Sequence, residues 1–268
     1  MDNTALHWDS AISYTTKDEI RVRGYNLVSL MGEYSFPETL HLLITGELPS
    51  EKVGKLLEAL MVASIDHGPA TPSVLTARTA ASGGASVKNA TAAGFMALDR
   101  SHGAAVEGCM AYLMKVCEKI ENAESAEEKK QIIKDFVAEE RAAGRKIVPG
   151  FGHRQHPHDP RKDKLFAMAD EAGVKGKYIA AAELVSEVLS ERSGKELPIN
   201  IDGAMAAILC ELNYPLELGN VPFLISRLCS LFVHSYEEIK TMPRMRRIDP
   251  CDIGYNGVPD RDVPEKGK

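Results

Sequence analysis

Residues 148–161 combine side chains that could carry out acid–base chemistry on an anionic substrate. Their density of glycine and proline indicates an irregular loop with fixed turns rather than a helix. Gly150 and Gly152 would let a ligand approach the backbone closely, because glycine has no Cβ. His153 supplies a titratable group, and the guanidinium of Arg161 could hold a carboxylate through two parallel hydrogen bonds. This one loop therefore offers a proton-transfer group, a close backbone approach and an anion clamp.

Two other titratable residues stand where apolar helices are predicted to begin. His102 precedes one such helix, whose positive dipole end disfavours a protonated imidazole. A neutral imidazole can donate a hydrogen bond to a developing oxyanion, although a histidine that only caps the helix is the alternative. Asp202 has apolar neighbours on both sides. It is therefore either a helix N-cap or a general base whose pKa is raised by burial.

Three candidates remain, and two of them, Arg227 and His153, also have a structural alternative. Arg227 lies in the apolar run 225–233 and needs an anionic partner if it is buried, whereas its head group could also extend to water. His67 follows an apolar helix. His153 could be a turn histidine bonded to the backbone, or it could bind a metal together with His156, His158 and Asp159. No second ligand cluster supports this metal alternative, so we expect no metal site.

Composition limits the class of protein. The chain has 268 residues, of which 44% are hydrophobic and 26% charged, with a net charge of −6. These values are typical of a globular protein, and the acidic balance disfavours nucleic acid as a partner. We expect no membrane partner, because no apolar run approaches the length that spans a bilayer. The five cysteines form no C-x-x-C pair, which favours reduced thiols in a cytoplasmic protein.

The pattern of the chain predicts an all-α fold with a small β-hairpin at the N-terminus. The hairpin comprises residues 11–14 and 20–22. Ser35 and Glu38 form a capping-box pattern at the start of a helix that Gly46 ends. Hydrophobic periodicity predicts further helices over about 51–64, 72–82, 87–99, 103–119, 127–143, 163–172, 176–191, 202–212 and 218–240. The tail 249–268 has no helical period, and we expect it to be disordered or to lie across a partner.

The order of these motifs resembles that of the citrate synthase superfamily over nearly the whole chain up to about residue 245. The motifs in question are Asp66-His67-Gly68, His102-Gly103, Pro149-Gly150-Phe151-Gly152-His153, Asp159-Pro160-Arg161, Asn200-Ile201-Asp202 and Ser226-Arg227. The resemblance implies a multi-helical fold with a large domain (1–160 and 200–268). It also implies a reduced small-domain segment over 161–199.

The resemblance also implies a role for each candidate residue. His102, His153 and Asp202 would be catalytic: His102 would stabilise the enol of acetyl-CoA, Asp202 would move the methyl proton, and His153 would serve the carbonyl or hydroxyl of the oxaloacetate carbon. His67, Arg161 and Arg227 would bind the carboxylates of the C4 substrate. The loop formed by Pro149, Gly150, Phe151 and Gly152 would lie along coenzyme A.

The chain departs from ordinary citrate synthases in being much shorter. A compact chain with a reduced small domain looks more like citryl-CoA lyase and the lyase module of ATP citrate lyase. The resemblance therefore implies cleavage of (3S)-citryl-CoA to acetyl-CoA and oxaloacetate. A citrate or 2-methylcitrate synthase is one alternative, and a non-catalytic CoA-binding helical scaffold is another. The CoA thioester would be a substrate, with no permanently bound cofactor.

The resemblance implies partners as well. We expect a homodimer or a higher homo-oligomer, with the Ala/Gly/Ser-rich segments 75–100 and 104–114 at the interface. Arg244, Arg246 or Arg247 would then reach the site of the other subunit. A separate CoA ligase would have to activate citrate, because the chain carries no nucleotide-binding module.

Overall fold

The computed structural model describes residues 8–99, 102–103, 105–145, 147–152, 159–264 and 266, and these residues form a largely helical fold. This confirms the all-α prediction. The first four helices are α1 (Leu27–Leu30), α2 (Phe36–Thr45), α3 (Glu51–Ser64) and α4 (Pro72–Ser82). The next four are α5 (Val87–Met96), α6 (Ala105–Lys119), α7 (Ala126–Ala142) and α8 (Pro160–Glu171). The last three are α9 (Lys177–Ser193), α10 (Ile201–Glu211) and α11 (Val221–Thr241), with short 3-10 turns at Leu216–Leu218 and Pro250–Asp252.

The N-terminal sheet is antiparallel and has one more strand than the sequence predicts. Its strands are β1 (Ser13–Thr15), β2 (Ile20–Val22) and β3 (Tyr25–Asn26). β2 and β3 are joined by Arg23 and Gly24, both at positive φ, a conformation that suits a tight hairpin. The side chain of Arg23 donates to the Leu43 carbonyl oxygen at 2.7 and 3.1 Å, so the sheet is attached to α2.

Most helix boundaries follow the capping signals of the sequence. Ser35 and Glu38 form the predicted capping box, and Gly46 ends α2 in the left-handed conformation. α4 has the predicted bounds, whereas α5 ends three residues earlier than predicted, at Met96.

The hydrophobic core surrounds α10, in which residues 203–210 are all buried. α10 packs against α6, α8 and α9, while α11 packs against α3, α4 and α5. α8 and α9 contribute Leu165, Ile179 and Val185 to this same core. The division into a large domain and a small-domain segment over 161–199 stays a prediction.

Small residues allow α4, α5 and α11 to approach one another. A Cβ added to Gly94 would lie 2.7 Å from Ala77 Cβ and 3.3 Å from a methyl group of Leu231. In the middle of the other Ala/Gly-rich segment, Cys109 and Met110 are fully buried within the chain. Both small-residue segments therefore contribute to packing within one subunit, and their place at an interface between subunits stays a prediction.

The segment Leu216–Thr241 is long and apolar enough, by length and composition alone, to cross a membrane, contrary to the sequence expectation. Core helices of globular proteins pass the same test. Here α11, which makes up most of the segment, packs against three other helices, and its Arg227 is only 3% exposed. The apolar character of α11 is accounted for in part by this packing.

Candidate active site

Asp202 lies in the first turn of α10, with one carboxylate oxygen enclosed by protein. The N-cap of this helix is Asn200, whose side chain accepts from the Gly203 N–H at 3.1 Å, so Asp202 does not serve as the cap. Its Oδ1 is buried and has no hydrogen-bond partner among the described residues. Burial raises the pKa of Asp202 to about 6, against the opposing effect of the Arg161 and Arg227 cations. Such a carboxyl group can exchange a proton near neutral pH.

The loop that the resemblance assigns to coenzyme A is bonded directly to the start of α10. Asn200 N–H donates to the Gly150 carbonyl at 3.1 Å, Gly152 N–H donates to the Pro198 carbonyl at 2.7 Å, and the Asn200 side chain donates to the Gly152 carbonyl at 2.9 Å. Gly150 has a φ of +84° and lies against Gly203, where a Cβ would meet Gly150 O at 2.2 Å. The loop and Asp202 are therefore positioned by the same contacts.

The two candidate arginines both bind the C-terminal end of α3. Arg161 Nη1 donates to the Ala63 carbonyl at 3.1 Å, and Arg227 donates to the Ser64 carbonyl from Nε at 3.2 Å and Nη2 at 3.1 Å. The last carbonyls of a helix have no partner within it, so they attract cations. Consecutive carbonyls of one helix thus bring together arginines that are 66 positions apart in the sequence (227 − 161).

Each arginine has a second contact that orients it. Arg161 forms a two-bond pair with Asp159, at 2.9 Å to Oδ1 and 2.8 Å to Oδ2, and Asp159 also caps α8. Arg227 is buried and lies over the Phe223 ring, with its Cζ 4.9 Å from the ring centroid. The extension of Arg227 to water, which the sequence left open, does not occur.

His102 is oriented by Ser73 at the start of α4. The Ser73 backbone N–H donates to His102 Nε2 at 3.2 Å, and Ser73 Oγ lies 2.8 Å from the same nitrogen. A backbone N–H can only donate, so Nε2 is the unprotonated nitrogen, and the imidazole proton is on Nδ1. Nδ1–H is consequently the group that could donate to an oxyanion.

Packing connects His102 to the arginines. A Cβ added to the neighbouring Gly103 would lie 2.9 Å from the Phe223 ring, on which Arg227 is stacked. His67 lies in the exposed turn that follows α3, a few residues beyond the carbonyls that bind the arginines. The structure therefore gathers Asp202, Arg161 and Arg227 around the end of α3, with His67 adjoining. His153 lies outside the described residues, as do His156 and His158 of the metal alternative.

A cavity of about 610 Å³ adjoins the loop, between α6 and the end of α7. Ile147, Val148 and Pro149 form one wall, and Tyr112 and Lys115 lie on another. A cavity of this size next to a glycine-rich turn could accept a large ligand.

Some of these residues have no clear signal in the sequence. Ser73 is 29 positions from His102, and the Ala63 and Ser64 carbonyls act through the backbone, which no side-chain pattern reports. The sequence indicates Asp159 as a candidate but not its pairing with Arg161, which could have been predicted because Asp-Pro is a common helix start and Arg161 follows within one turn.

Several known proteins resemble this chain in sequence and in fold. The family model described as citrate synthase, C-terminal domain, matches residues 3–55 and 49–248. The solved citryl-CoA lyase of Hydrogenobacter thermophilus is 36% identical, with a TM-score of 0.84, covering 96% of this chain and 97% of that one. An ATP citrate lyase of Methanosaeta concilii is 19% identical with a TM-score of 0.82 and shows a similar fold over 43% of its own length.

Citrate synthases match as well, over only part of their length. Citrate synthase 2 of Bacillus subtilis (strain 168) is 27% identical over 222 residues, which are 81% of this chain and 55% of that protein. This chain therefore spans about half the length of that curated relative. Because the family model covers most of the chain, the chain belongs to the citrate synthase family.

Proposed function

We propose that this protein is a carbon–carbon lyase for a CoA thioester and cleaves (3S)-citryl-CoA to acetyl-CoA and oxaloacetate. The observation that carries this proposal is the match to the Hydrogenobacter citryl-CoA lyase, which extends over 96% of this chain and 97% of that protein. A synthase of usual length would leave much of its own chain unmatched, as the Bacillus citrate synthase does.

The site supports a mechanism of two proton transfers. His153 accepts the proton of the tertiary hydroxyl group of citryl-CoA as the hydroxyl becomes the oxaloacetate carbonyl. The adjacent carbon–carbon bond breaks, and its electron pair forms the enolate of acetyl-CoA. His102 Nδ1–H donates to the enolate oxygen. The protonated form of Asp202, which remains accessible near neutral pH because burial raises the pKa to about 6, then delivers a proton to the methylene carbon and yields acetyl-CoA.

The carboxylates of the oxaloacetate half would face His67, Arg161 and Arg227. An arginine has five N–H groups, and the bonds described above use three in Arg161 and two in Arg227. Each guanidinium can therefore keep its protein contacts while its remaining N–H groups donate hydrogen bonds to a substrate carboxylate. The Pro149–Gly152 backbone and the adjoining cavity would hold the CoA moiety.

A citrate or 2-methylcitrate synthase is the second candidate, and the match to Bacillus citrate synthase 2 favours it. A synthase condenses the two substrates and then hydrolyses the thioester, so it releases free CoA. A non-catalytic scaffold is a weaker alternative, because a scaffold has no need of an enclosed carboxyl group with a raised pKa beside two arginines.

Product analysis distinguishes these candidates. Purified protein is given (3S)-citryl-CoA, and in a separate reaction oxaloacetate plus acetyl-CoA, while oxaloacetate, thioester absorbance and free thiol are followed. A lyase produces oxaloacetate from citryl-CoA with no free thiol, whereas free CoA in either reaction indicates a synthase. Absence of both reactions would contradict an enzymatic role on these substrates. A lyase would also need citryl-CoA from a separate citrate-activating CoA ligase.

A further inference from the structure

The turn that carries His67 is held by the carboxylate of its neighbour Asp66. Gly68 N–H donates to Asp66 Oδ2 at 3.2 Å, and the His67 backbone N–H also donates to this carboxylate. Partial burial opposes ionisation of Asp66, but these bonds and the contact with His234 together lower the pKa of its carboxyl. The side chain is therefore an ionised acceptor at neutral pH. It closes the turn at the end of α3.

The third partner of Asp66 comes from a different helix. His234 Nε2, on α11, lies 3.2 Å from Asp66 Oδ1. Because the carboxylate can only accept, Nε2 is the donor. The His234 side chain is 17% exposed and that of Asp66 is 39% exposed, so the pair lies at the surface with the imidazole ring mostly covered. The other carboxylate near the ring belongs to Glu237, whose Oε2 is 4.0 Å from Nδ1 and which binds Arg78 at 2.9 Å.

α11 thus contacts the end of α3 at two points. Arg227 binds the Ser64 carbonyl, and His234, about two helical turns further along, binds Asp66. Both His67 and Arg227 are proposed to bind substrate carboxylates, and α11 fixes the position of one relative to the other. His234 therefore adds a direct side-chain hydrogen bond between α11 and this exposed turn.

We propose that His234 and Asp66 form a positioning pair that orients His67 towards the oxaloacetate half of the substrate. This inference rests on the proposed function, because it takes His67 to be a substrate-binding residue. His234 does not touch substrate in this role. It acts through Asp66, whose oxygens hold the backbone on either side of the His67 Cα.

Variants of His234 test the pair against the proposed activity. His234→Leu removes the donor, whereas His234→Gln keeps an N–H donor on a side chain of similar reach. We expect His234→Leu to raise KM for citryl-CoA on the order of tenfold with little change in kcat, because a charge-assisted hydrogen bond is lost. His234→Gln should restore most of the loss. Glu237→Gln, which changes the other carboxylate near the ring, is the matched control and should keep the wild-type KM.

A second measurement does not depend on activity. Hydrogen–deuterium exchange of the His67 and Gly68 amides should be faster in His234→Leu than in the wild type and close to the wild-type rate in His234→Gln. Asp66→Ala should raise KM and speed exchange at least as much as His234→Leu does, and adding His234→Leu to Asp66→Ala should change little further, because His234 acts through Asp66.

The outcomes separate the two proposals. Wild-type exchange and KM in His234→Leu would overturn the positioning pair. The positioning pair would also be overturned if both variants showed the same rise in KM together with a lower melting temperature. General unfolding would then explain the effect. Failure of the wild type to act on citryl-CoA would overturn the proposed function, while the exchange measurement would still decide whether His234 holds the turn.

Discussion

At the level of single residues, the pKa of the Asp202 carboxyl group is set by its burial and by two nearby cations. Asp202 is buried, which favours its neutral form, but Arg161 and Arg227 lie close enough to favour the carboxylate. The result is a pKa of about 6, close to the pH at which proton transfer in either direction is efficient. Neither burial nor the cations alone would produce this value.

The raised pKa predicts how stability depends on pH. A carboxyl group with a higher pKa in the folded state stabilises the protein at low pH, and this contribution is lost as the pH rises through the folded-state pKa. From the ordinary value of 3.8 to about 6, the loss is roughly 3 kcal/mol. The Asp202→Asn variant has no charge to bury at this position, so it does not undergo this loss of stability. We expect the variant to be as stable as the wild type near pH 4 and more stable above pH 6.

Chemical denaturation at a series of pH values measures this difference. Asp159→Asn is an informative comparison, because Asp159 is buried but paired with Arg161. Loss of its charge should destabilise the protein at neutral pH. A constant difference between Asp202→Asn and the wild type from pH 4 to 8 would show that the Asp202 pKa is ordinary.

Asp202→Asn should also stop solvent exchange of the acetyl-CoA methyl protons, because an amide cannot accept the proton. Loss of a general base typically lowers a rate by about 10²- to 10⁴-fold. In the wild type, the exchange rate should rise with pH and level off above about 6, where the carboxylate predominates. NMR of acetyl-CoA in deuterated buffer follows this exchange. Exchange at the wild-type rate in the variant would exclude Asp202 as the base.

Arg161→Lys tests the geometry of the carboxylate site. Lysine keeps the charge but loses the planar fork that can bind two oxygens. We expect KM for citryl-CoA to rise by at least tenfold, with a smaller effect on acetyl-CoA binding measured by calorimetry. Arg78→Lys is the matched control, since Arg78 binds Glu237 and Glu238 away from the loop. It should lower stability and leave KM unchanged, and the reverse pattern would count against the assignment of Arg161.

At the scale of elements, the loop 148–152 is bonded directly to the start of α10. Gly150 and Gly203 touch through their backbones, and three hydrogen bonds join the two segments. A movement of α10 would therefore move both Asp202 and the loop proposed to hold CoA.

Gly203→Ala tests this coupling. The new Cβ would meet the Gly150 carbonyl oxygen at 2.2 Å, so one of the two backbones must shift. We expect a loss of about 1–3 kcal/mol in the free energy of unfolding and a higher KM for the CoA thioester. Gly83→Ala is the control, because Gly83 lies at the end of α4, away from this loop, and its Cβ would come no closer than 3.5 Å to a neighbouring atom, which is ordinary contact. That variant should be neutral or slightly more stable, and equal effects of the two changes would contradict the coupling.

At the scale of the whole molecule, α4, α5 and α11 pack together and leave apolar side chains on their outer surface. Among these are Leu75, Met96, Val233 and Tyr236, which are 52%, 82%, 67% and 54% exposed. Large exposed apolar patches commonly mark association surfaces. The first part of the tail is bonded to its own subunit. Arg246 donates from Nη1 to Glu238 at 3.0 Å and from its backbone N–H to Ser82 Oγ at 2.7 Å. The proposed crossing of Arg246 to another subunit would require it to leave Glu238.

We expect the protein to be a homodimer through this surface. Val233→Glu should weaken association at least tenfold, because it places a charge in an apolar contact. Val28→Glu, at a similarly exposed valine of α1, should leave association unchanged. Sedimentation at decreasing concentration measures both. A wild-type protein that is monomeric and fully active at nanomolar concentration would rule out the dimer.

Apart from the four-residue helix α1, the helices and the order of the site motifs could be predicted from the sequence alone. Apolar periodicity and local capping signals such as Ser35 with Glu38 depend on neighbours within a few residues, so they are visible in one dimension. The third strand was missed because it has only two residues, Tyr25 and Asn26.

The contacts that hold the candidate residues became visible in the three-dimensional structure. Asp202 looked like a possible N-cap until the helix start placed Asn200 there, and its pKa depends on arginines brought from two other helices. The Nδ1 proton of His102 follows from the backbone of Ser73, and the turn at His67 depends on His234. Burial, electrostatics and tautomers depend on neighbours in space, and the fold selects those neighbours from distant parts of the chain.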